Sequence, residues 1–518
     1  MTFAQHGEGR DGLDGSVRRN GNHFPIASSF RPNIVAVDLG AESCRVSMLH
    51  WMGDEPRMQL VHRFPNAPVR QGPHLRWDLN RILHGVEEGL RGCAELAPQG
   101  IASIGVDGWA VDYVLLHPGG AARGDPYCYR DERNIAALKD VHTRISPERL
   151  YDLTGIQVIP INTLYQLAAE RASGTDPNIP WLNLPEYLMN WLGGRPVAEY
   201  TNATHTELLE VRHKAWCKEI FEAAGLTINA AAAVVPPGTE LGKVRGALAS
   251  LPAFQNTVLI APACHDTASA IAGIHAQGDD WAFISSGTWS LVGCVLDSAC
   301  VSAAARNKNF SNEGGVGGRI NFLKNVNGMW LLQQCIAHWQ SEGRHWTAEA
   351  LVEACAQLPA PEHLLDVDDP DLMLPGNMPA RINSQLKRVS GTPIPEGPEA
   401  APQVAGLIFH SLAARYAEVL KDAASITGKK LKRIFVVGGG SRNPLLNKLT
   451  AQATGLEVIP GAAESATVGN LAIQLSTLAG EYNEGTGVNA SAVAKWADLL
   501  APRPVESKAG QAEAVVRD

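Results

Sequence analysis

The residues best suited to chemistry fall in a few short stretches. One lies almost at the middle of the 518 residues and reads Ala261-Pro262-Ala263-Cys264-His265-Asp266-Thr267-Ala268-Ser269-Ala270. The apolar run Val258-Leu259-Ile260 before it reads as a strand, and the small residues after it read as a helix. The Asp266 carboxylate therefore falls where a strand hands over to a helix. A carboxylate there can accept a proton from a substrate hydroxyl, and a helix start favours its charged form. The same pattern also suits a plain helix cap with no catalytic duty. His265 offers a hydrogen bond to a ligand or a satisfied core histidine, and the local pattern favours the core.

A second stretch is Asp38-Leu39-Gly40-Ala41-Glu42-Ser43-Cys44-Arg45. Backbone N–H groups of a tight turn, together with Ser43 and Arg45, can point at phosphate oxygens. Asp38 can hold Mg²⁺, which prefers oxygen ligands. An ordinary hairpin with exposed charges reads the same way. A third stretch, Gly438-Gly439-Gly440, follows a buried strand and allows backbone to approach a nucleotide. It has neither the G-x-G-x-x-G frame nor the Lys-Ser/Thr of a P-loop. Asn312-Glu313-Gly314-Gly315-Val316-Gly317-Gly318-Arg319 reads as a mobile loop near a cleft.

These stretches need elements to position them. Ile34–Gly40 is a buried-strand run ending in a carboxylate and a glycine, followed by a polar turn over 41–45 and a returning strand at 46–49; a third strand falls at 58–64. Leu79, Ile82, Leu83, Val86, Leu90 and Cys93 recur at helical spacing. Ile101–Asp107 is a further strand ending in an acid. The second half repeats this logic. Strands at 281–285 and 289–295 flank the small turn Ser286-Gly287-Thr288, a strand at 319–323 follows, and a long helix covers 404–424. The strand Arg433–Val437 runs into the triple glycine, with a helix at 444–454 behind it. Two similar α/β domains with a cleft between them follow from the repeat. The boundary falls near 272–279, giving an N-terminal domain at 33–275 and a C-terminal domain at 276–500. Residues 1–32 read as a disordered extension and 501–518 as a tail.

Composition sets outer limits. The chain is 45% apolar and 19% charged, as in ordinary globular proteins, and its formal charge of -9 argues against nucleic acid or anionic membrane as the main partner. Nine cysteines without a C-x-x-C fit a reducing cytoplasm and give zinc ribbons no support. No signal-peptide or membrane-span pattern is present. Nothing in the sequence specifies an oligomeric state.

Taken together, the stretches resemble the FGGY carbohydrate kinases, and more closely their rhamnulokinase branch. The resemblance rests on Val35–Ala41, Ser103–Asp107, Tyr129-Arg130-Asp131, Asn162–Leu167, Glu199–Thr204, His265–Ala270, Ser285–Leu291, Asn312–Gly315, Leu323-Lys324-Asn325, Trp330–Gln333 and Val437–Gly440. It implies two ribonuclease-H-like domains of the actin and hexokinase type closing over ATP and a sugar. Asp266 matches the catalytic base. Ala110, His265, Asp266, Thr267 and Asn325 match substrate-contacting positions, and Ala41, Glu42, Ser43, Cys44, Arg45, Thr288, Gln333 and Gly439 match ATP-contacting ones. The implied reaction is transfer of the γ-phosphoryl group of ATP, with Mg²⁺, to the 1-hydroxyl of L-rhamnulose. The alternatives are a kinase for xylulose, fuculose or glycerol, or a silent sugar- or nucleotide-binding protein. Three positions depart from the pattern. Cys44 replaces a common Gly, where its thiol would crowd the phosphates. Gly108 replaces a Thr, and Ala110 a Gly facing the sugar, so that bulk added at 110 either narrows the pocket or is absorbed by the side chain lost at 108.

Overall fold

The computed structural model describes residues 30–395 and 397–501. Apart from their inner edges, the extension and the tail lie outside the described residues.

The first sheet is built around β1 (Ile34–Leu39), β2 (Ser43–Met52) and β3 (Glu55–Pro65), an antiparallel meander. Helix α1 (Leu79–Leu96) returns the chain over it, and β4 (Ser103–Gly108) pairs parallel with β1. Asp78 caps α1 by accepting from the Arg81 N–H, and the helix buries Leu79, Ile82, Val86, Leu90 and Cys93, the stripe its spacing predicts. After a long insertion containing the short helix α2 (Tyr200–His205), β5 (Thr239–Lys243) and β6 (Val258–Ala261) complete the order β5-β6-β4-β1-β2-β3. Helix α3 (Asp266–Ala272) follows β6 directly.

The second sheet repeats the plan. β7 (Trp281–Ser286) and β8 (Trp289–Leu296) form the hairpin, and β9 (Ser311–Gly314) and β10 (Ile320–Asn327) extend it. Helices α4 (Trp330–Ser341) and α5 (Ala401–Thr427) lead to β11 (Arg433–Val437), which is parallel to β7. Helix α6 (Pro444–Thr454) and β12 (Glu457–Pro460) complete the order β9-β10-β8-β7-β11-β12. The strands β3-β2-β1-β4-β6 and β10-β8-β7-β11-β12 thus share one order and one set of directions. The internal repeat read from the sequence is a repeat of topology. β1 is buried throughout, as a central strand covered on both faces must be.

One helix ties the halves together. α7 (Ser465–Leu478) follows β12 but packs against β1, β4 and α3. Its residues 467–477 are all buried, so its polar side chains need protein partners. Gln474 Nε2 donates to the Val35 carbonyl at 3.0 Å, Ser103 Oγ donates to Gln474 Oε1 at 2.6 Å, and Asn470 Nδ2 donates to Asp107 Oδ2 at 2.6 Å. Among the described residues, no helix is long and apolar enough to cross a membrane.

Candidate active site

The register of the central strands assembles the cleft. Asp38, next to last in β1, stands opposite Asp107 on β4, and Gly108 bridges in parallel to His265, which brings Asp266 toward both. The turn after β1 is shorter than the sequence reading: it spans 40–42, and β2 starts at Ser43. Strand alternation then separates neighbours. Ser43 and Arg45 face the cleft, while Cys44 is fully buried in the core of the first sheet. Its Sγ lies 3.7 Å from the Gly40 carbonyl, and burial pushes the thiol up to about 12. The expectation that this thiol crowds the phosphates is therefore wrong, because Cys44 belongs to the strand and not to the turn.

A cavity of about 370 Å³ separates the two sheets. Asp38, Ala41, Glu42, Ser43, Arg45, Ala110, His265, Asp266, Thr267, Thr288, Asn325, Gln333 and Gly439 all line it, so Cys44 is the one predicted site residue that does not. The two hairpin turns meet across it: Thr288 Oγ1 donates to Glu42 Oε1 at 2.7 Å. Arg45 joins the halves as well, with Nη2 3.2 Å from Asp38 Oδ2 and Nη1 2.5 Å from Glu464 Oε2. Arg63, missed by the sequence reading, donates to Ser43 Oγ through Nε at 3.2 Å and Nη2 at 3.0 Å, adding a second guanidinium beside the first hairpin turn. On the opposite wall, Gly438 has φ +79° and Gly440 packs on Ser286, whereas a Cβ on Gly439 would meet no atom within 4 Å. Gly439 is thus the member of the triple glycine that faces open space.

Asp266 is the first helical residue of α3, not its cap; His265 holds the cap position and makes no side-chain cap bond. A third of the Asp266 side chain is open to the cleft. Desolvation, and next the charge of Asp38, raise its carboxyl to about 7. The helix start does favour the charged form, through the Thr267 backbone N–H, but burial and the like charge of Asp38 outweigh it. Desolvation also raises Asp38, and raises Asp107 well above the carboxylate range. Asp107 Oδ1 has no hydrogen-bond partner among the described residues. Asp38, Asp107 and Asp266 are oxygen donors of the kind a hard divalent cation takes, but their carboxylate oxygens do not all lie within 4.8 Å of one another, so as they stand they form no three-ligand cluster. His265 is both buried and cleft-lining, and burial followed by the charge of His205 holds it well below its usual range, as neutral imidazole.

One wall of the cleft is Trp109-Ala110-Val111. Val111 adopts φ +72°, strained for a β-branched residue. Its carbonyl accepts from Thr163 Oγ1 at 2.7 Å and Gln166 Nε2 at 3.2 Å. Buried Asp112 accepts from the indole N–H of Trp77 at 2.6 Å and of Trp109 at 2.9 Å. A Cβ on Gly108 would lie 2.7 Å from the Leu39 Cβ and 3.0 Å from its carbonyl oxygen. That direction points into the β1–β4 contact, so the missing side chain at 108 does not compensate for the Cβ of Ala110. The stretch 312–319 is strand at its start and a glycine turn after it. Its first residues form the buried edge strand β9, placing Glu313 behind His205 and His265. His205 and Glu313 were both missed. His205 directly follows the buried stretch Asn202-Ala203-Thr204.

Residues 33–273 match the N-terminal domain, and residues 282–478 the C-terminal domain, of the FGGY family of carbohydrate kinases. The chain belongs to that family. Membership implies ATP as co-substrate. Among relatives of this FGGY kinase, the rhamnulokinase of Enterococcus faecalis is 37% identical over 446 residues, covering 85% of this chain and 88% of that one. The rhamnulokinase of Bacteroides thetaiotaomicron is 36% identical over 461 residues, covering 88% and 93%. The fold is shared with the xylulose kinase of Lactobacillus acidophilus, at TM-score 0.68 and 14% identity over 90% of this chain and 96% of that one. It is also shared with the glycerol kinase of Plasmodium falciparum, at TM-score 0.67 and 11% identity over 90% and 92%.

Proposed function

We propose that this FGGY kinase transfers the γ-phosphoryl group of ATP to the 1-hydroxyl of L-rhamnulose, with Asp266 as the base. The substrate rests on the two rhamnulokinase relatives, whose likeness runs through both domains. The base rests on one geometric observation: Asp266 is the carboxylate on the helix start between the sugar wall and the two hairpin turns, open to the cleft that all of them line. The domain at 33–275 supplies the sugar wall and the first phosphate turn, and the domain at 276–500 supplies the nucleotide side. Trp109, Ala110, His265, Thr267 and Asn325 hold the ketose. Arg45, Arg63, Thr288 and backbone of the two turns hold the phosphates, and Gln333 and Gly439 flank the nucleotide. As the bond from γ-phosphorus to the bridging oxygen breaks and the bond to O1 forms, the O1 proton passes to the Asp266 carboxylate and ADP leaves. Mg²⁺ held from Asp38 would offset charge on the transferring phosphoryl group.

The test is ADP release with L-rhamnulose, L-fuculose, xylulose and glycerol, and NMR location of the new phosphate ester. L-Rhamnulose should give the highest kcat/KM and a 1-phosphate. A higher kcat/KM for another member of the panel would replace the substrate. Asp266→Ala should fold normally and lose about 10²–10⁴-fold in turnover, the range for a general base; near-normal turnover would remove Asp266 from its role.

A further inference from the structure

Behind the cleft wall, His205 from the end of α2, His265 before α3 and Glu313 from β9 meet. They are 7%, 5% and 1% exposed. One ligand atom from each lies within 4.8 Å of the others, and no other set of three His, Cys, Asp or Glu side chains does so among the described residues. His205 Nε2 is 2.8 Å and His265 Nδ1 is 3.8 Å from Glu313 Oε2. The two rings stand edge to face with centroids 4.1 Å apart. Despite this closeness, His205 Nε2, His265 Nδ1 and both Glu313 oxygens have no hydrogen-bond partner among the described residues. The oxygen is near the His205 nitrogen but off the direction a hydrogen bond requires.

An ordinary ion pair would aim an N–H at the oxygen. Ligands of one ion look different. Each sits about 2.0–2.2 Å from the centre, so tetrahedral neighbours are roughly 3.3 Å apart, with their lone pairs converging on a third point. Four polar atoms left without partners at this depth are otherwise destabilising.

We infer that His205, His265 and Glu313 bind one divalent transition-metal ion, zinc by the chemistry of the set. Two imidazoles and one carboxylate suit zinc or cobalt, whereas Mg²⁺ prefers oxygen ligands in octahedral geometry. The site is therefore distinct from the carboxylates around Asp38. Three protein ligands leave a fourth position open. The two histidines line the cleft and Glu313 does not, so that position faces the cleft, where water or a polyol oxygen can fill it.

The test uses untagged full-length protein stripped with a chelator and dialysed against micromolar zinc in millimolar Mg²⁺, followed by elemental analysis. The wild type should hold one more equivalent of zinc than His205→Gln and Glu313→Gln, with folding of both checked by circular dichroism and gel filtration. Equal zinc content in wild type and folded variants overturns the site. If the variants do not fold, cobalt loading of the wild type decides. The strong visible absorption of four-coordinate cobalt supports the site, and the pale spectrum of six-coordinate cobalt, or no bound cobalt, overturns it.

Discussion

Asp112 is never in contact with the cleft, yet it should control the affinity for the sugar. Its buried carboxylate receives three donors: the Trp77 and Trp109 indoles on Oδ2, and Gln166 Nε2 at 3.0 Å on Oδ1. Desolvation raises its carboxyl to about 6, so it is largely ionised near neutral pH. Asp112→Asn can keep both indole bonds only by turning its NH₂ toward the Gln166 amide. Gln166 cannot flip without cost, because the same NH₂ donates to the carbonyls of Val111 and Ile161. One buried donor is therefore left without an acceptor, at a cost of about 1–3 kcal/mol. That cost falls on the bonds that hold Val111 at positive φ, a conformation itself worth about 1–3 kcal/mol of strain. If relaxation of Trp109–Val111 passes this energy to ketose binding, the ketose KM rises by about 5- to 150-fold, at 1.4 kcal/mol per tenfold. The ATP KM stays within twofold, because these contacts lie on the sugar wall. The assay is steady-state ADP release with each substrate varied in turn, paired with urea unfolding. A variant that loses the full folding energy while its ketose KM is unchanged would refute the reasoning, since the wall would then hold its shape without Asp112.

The triple glycine divides by position: Gly439→Ala should fold and raise the ATP KM, whereas Gly440→Ala drives a Cβ into Ser286 Oγ and should give unstable or insoluble protein; expression yield and ATP kinetics separate the two. Cys44 is buried in the core with its thiol pushed up to about 12, so a small thiol reagent should leave it unlabelled in the native protein, whether or not ATP is present, as peptide mass mapping would show. Burial and the neighbouring Glu199 raise Glu186 to about 8. The folded state then keeps a proton that the unfolded chain has released above pH ~4.5, so this group's stabilising share is lost as pH rises through about 8. Glu186→Gln should flatten the fall in stability between pH 5 and 8, because a flipped Asn202, whose Oδ1 is unpartnered among the described residues, can accept from the new amide; urea midpoints across that range check it.

How far the sequence could be read depended on what each element had to signal. Arg433–Val437 and Pro444–Thr454 were legible to the residue, because an apolar run, a proline in the first turn and Gly455 in the left-handed cap position are local marks. β9 was not legible. Ser-Asn-Glu-Gly carries no apolar alternation, and its burial comes from packing against α2 and pairing with β10, neither of which is local. The Cys44 error shows how small the margin is. Extending a turn by three residues left Cys44 without a strand phase, and the phase alone decides whether a side chain meets phosphate or core.

The same contrast explains why the catalytic stretch was readable while its supports were not. Asp38, Asp266 and Thr288 sit at the ends of strands or the starts of helices, and chain punctuation marks such places. What holds them is buried polar pairing between distant segments. Glu199 accepts from the Cys264 N–H at 2.9 Å, Thr201 Oγ1 accepts from the His265 N–H at 3.2 Å, and Asn470 of α7 binds Asp107. Each of these groups looks locally like a loop or surface residue, and becomes affordable in the interior only once its partner arrives. α7 is the clearest case. Asn470 and Gln474 would mark an amphipathic helix with a wet face, yet that face is the one turned to β1 and β4. The carboxyl environment at the cleft floor is therefore set as much by α7, a helix of the second half, as by the strands that carry Asp38 and Asp107.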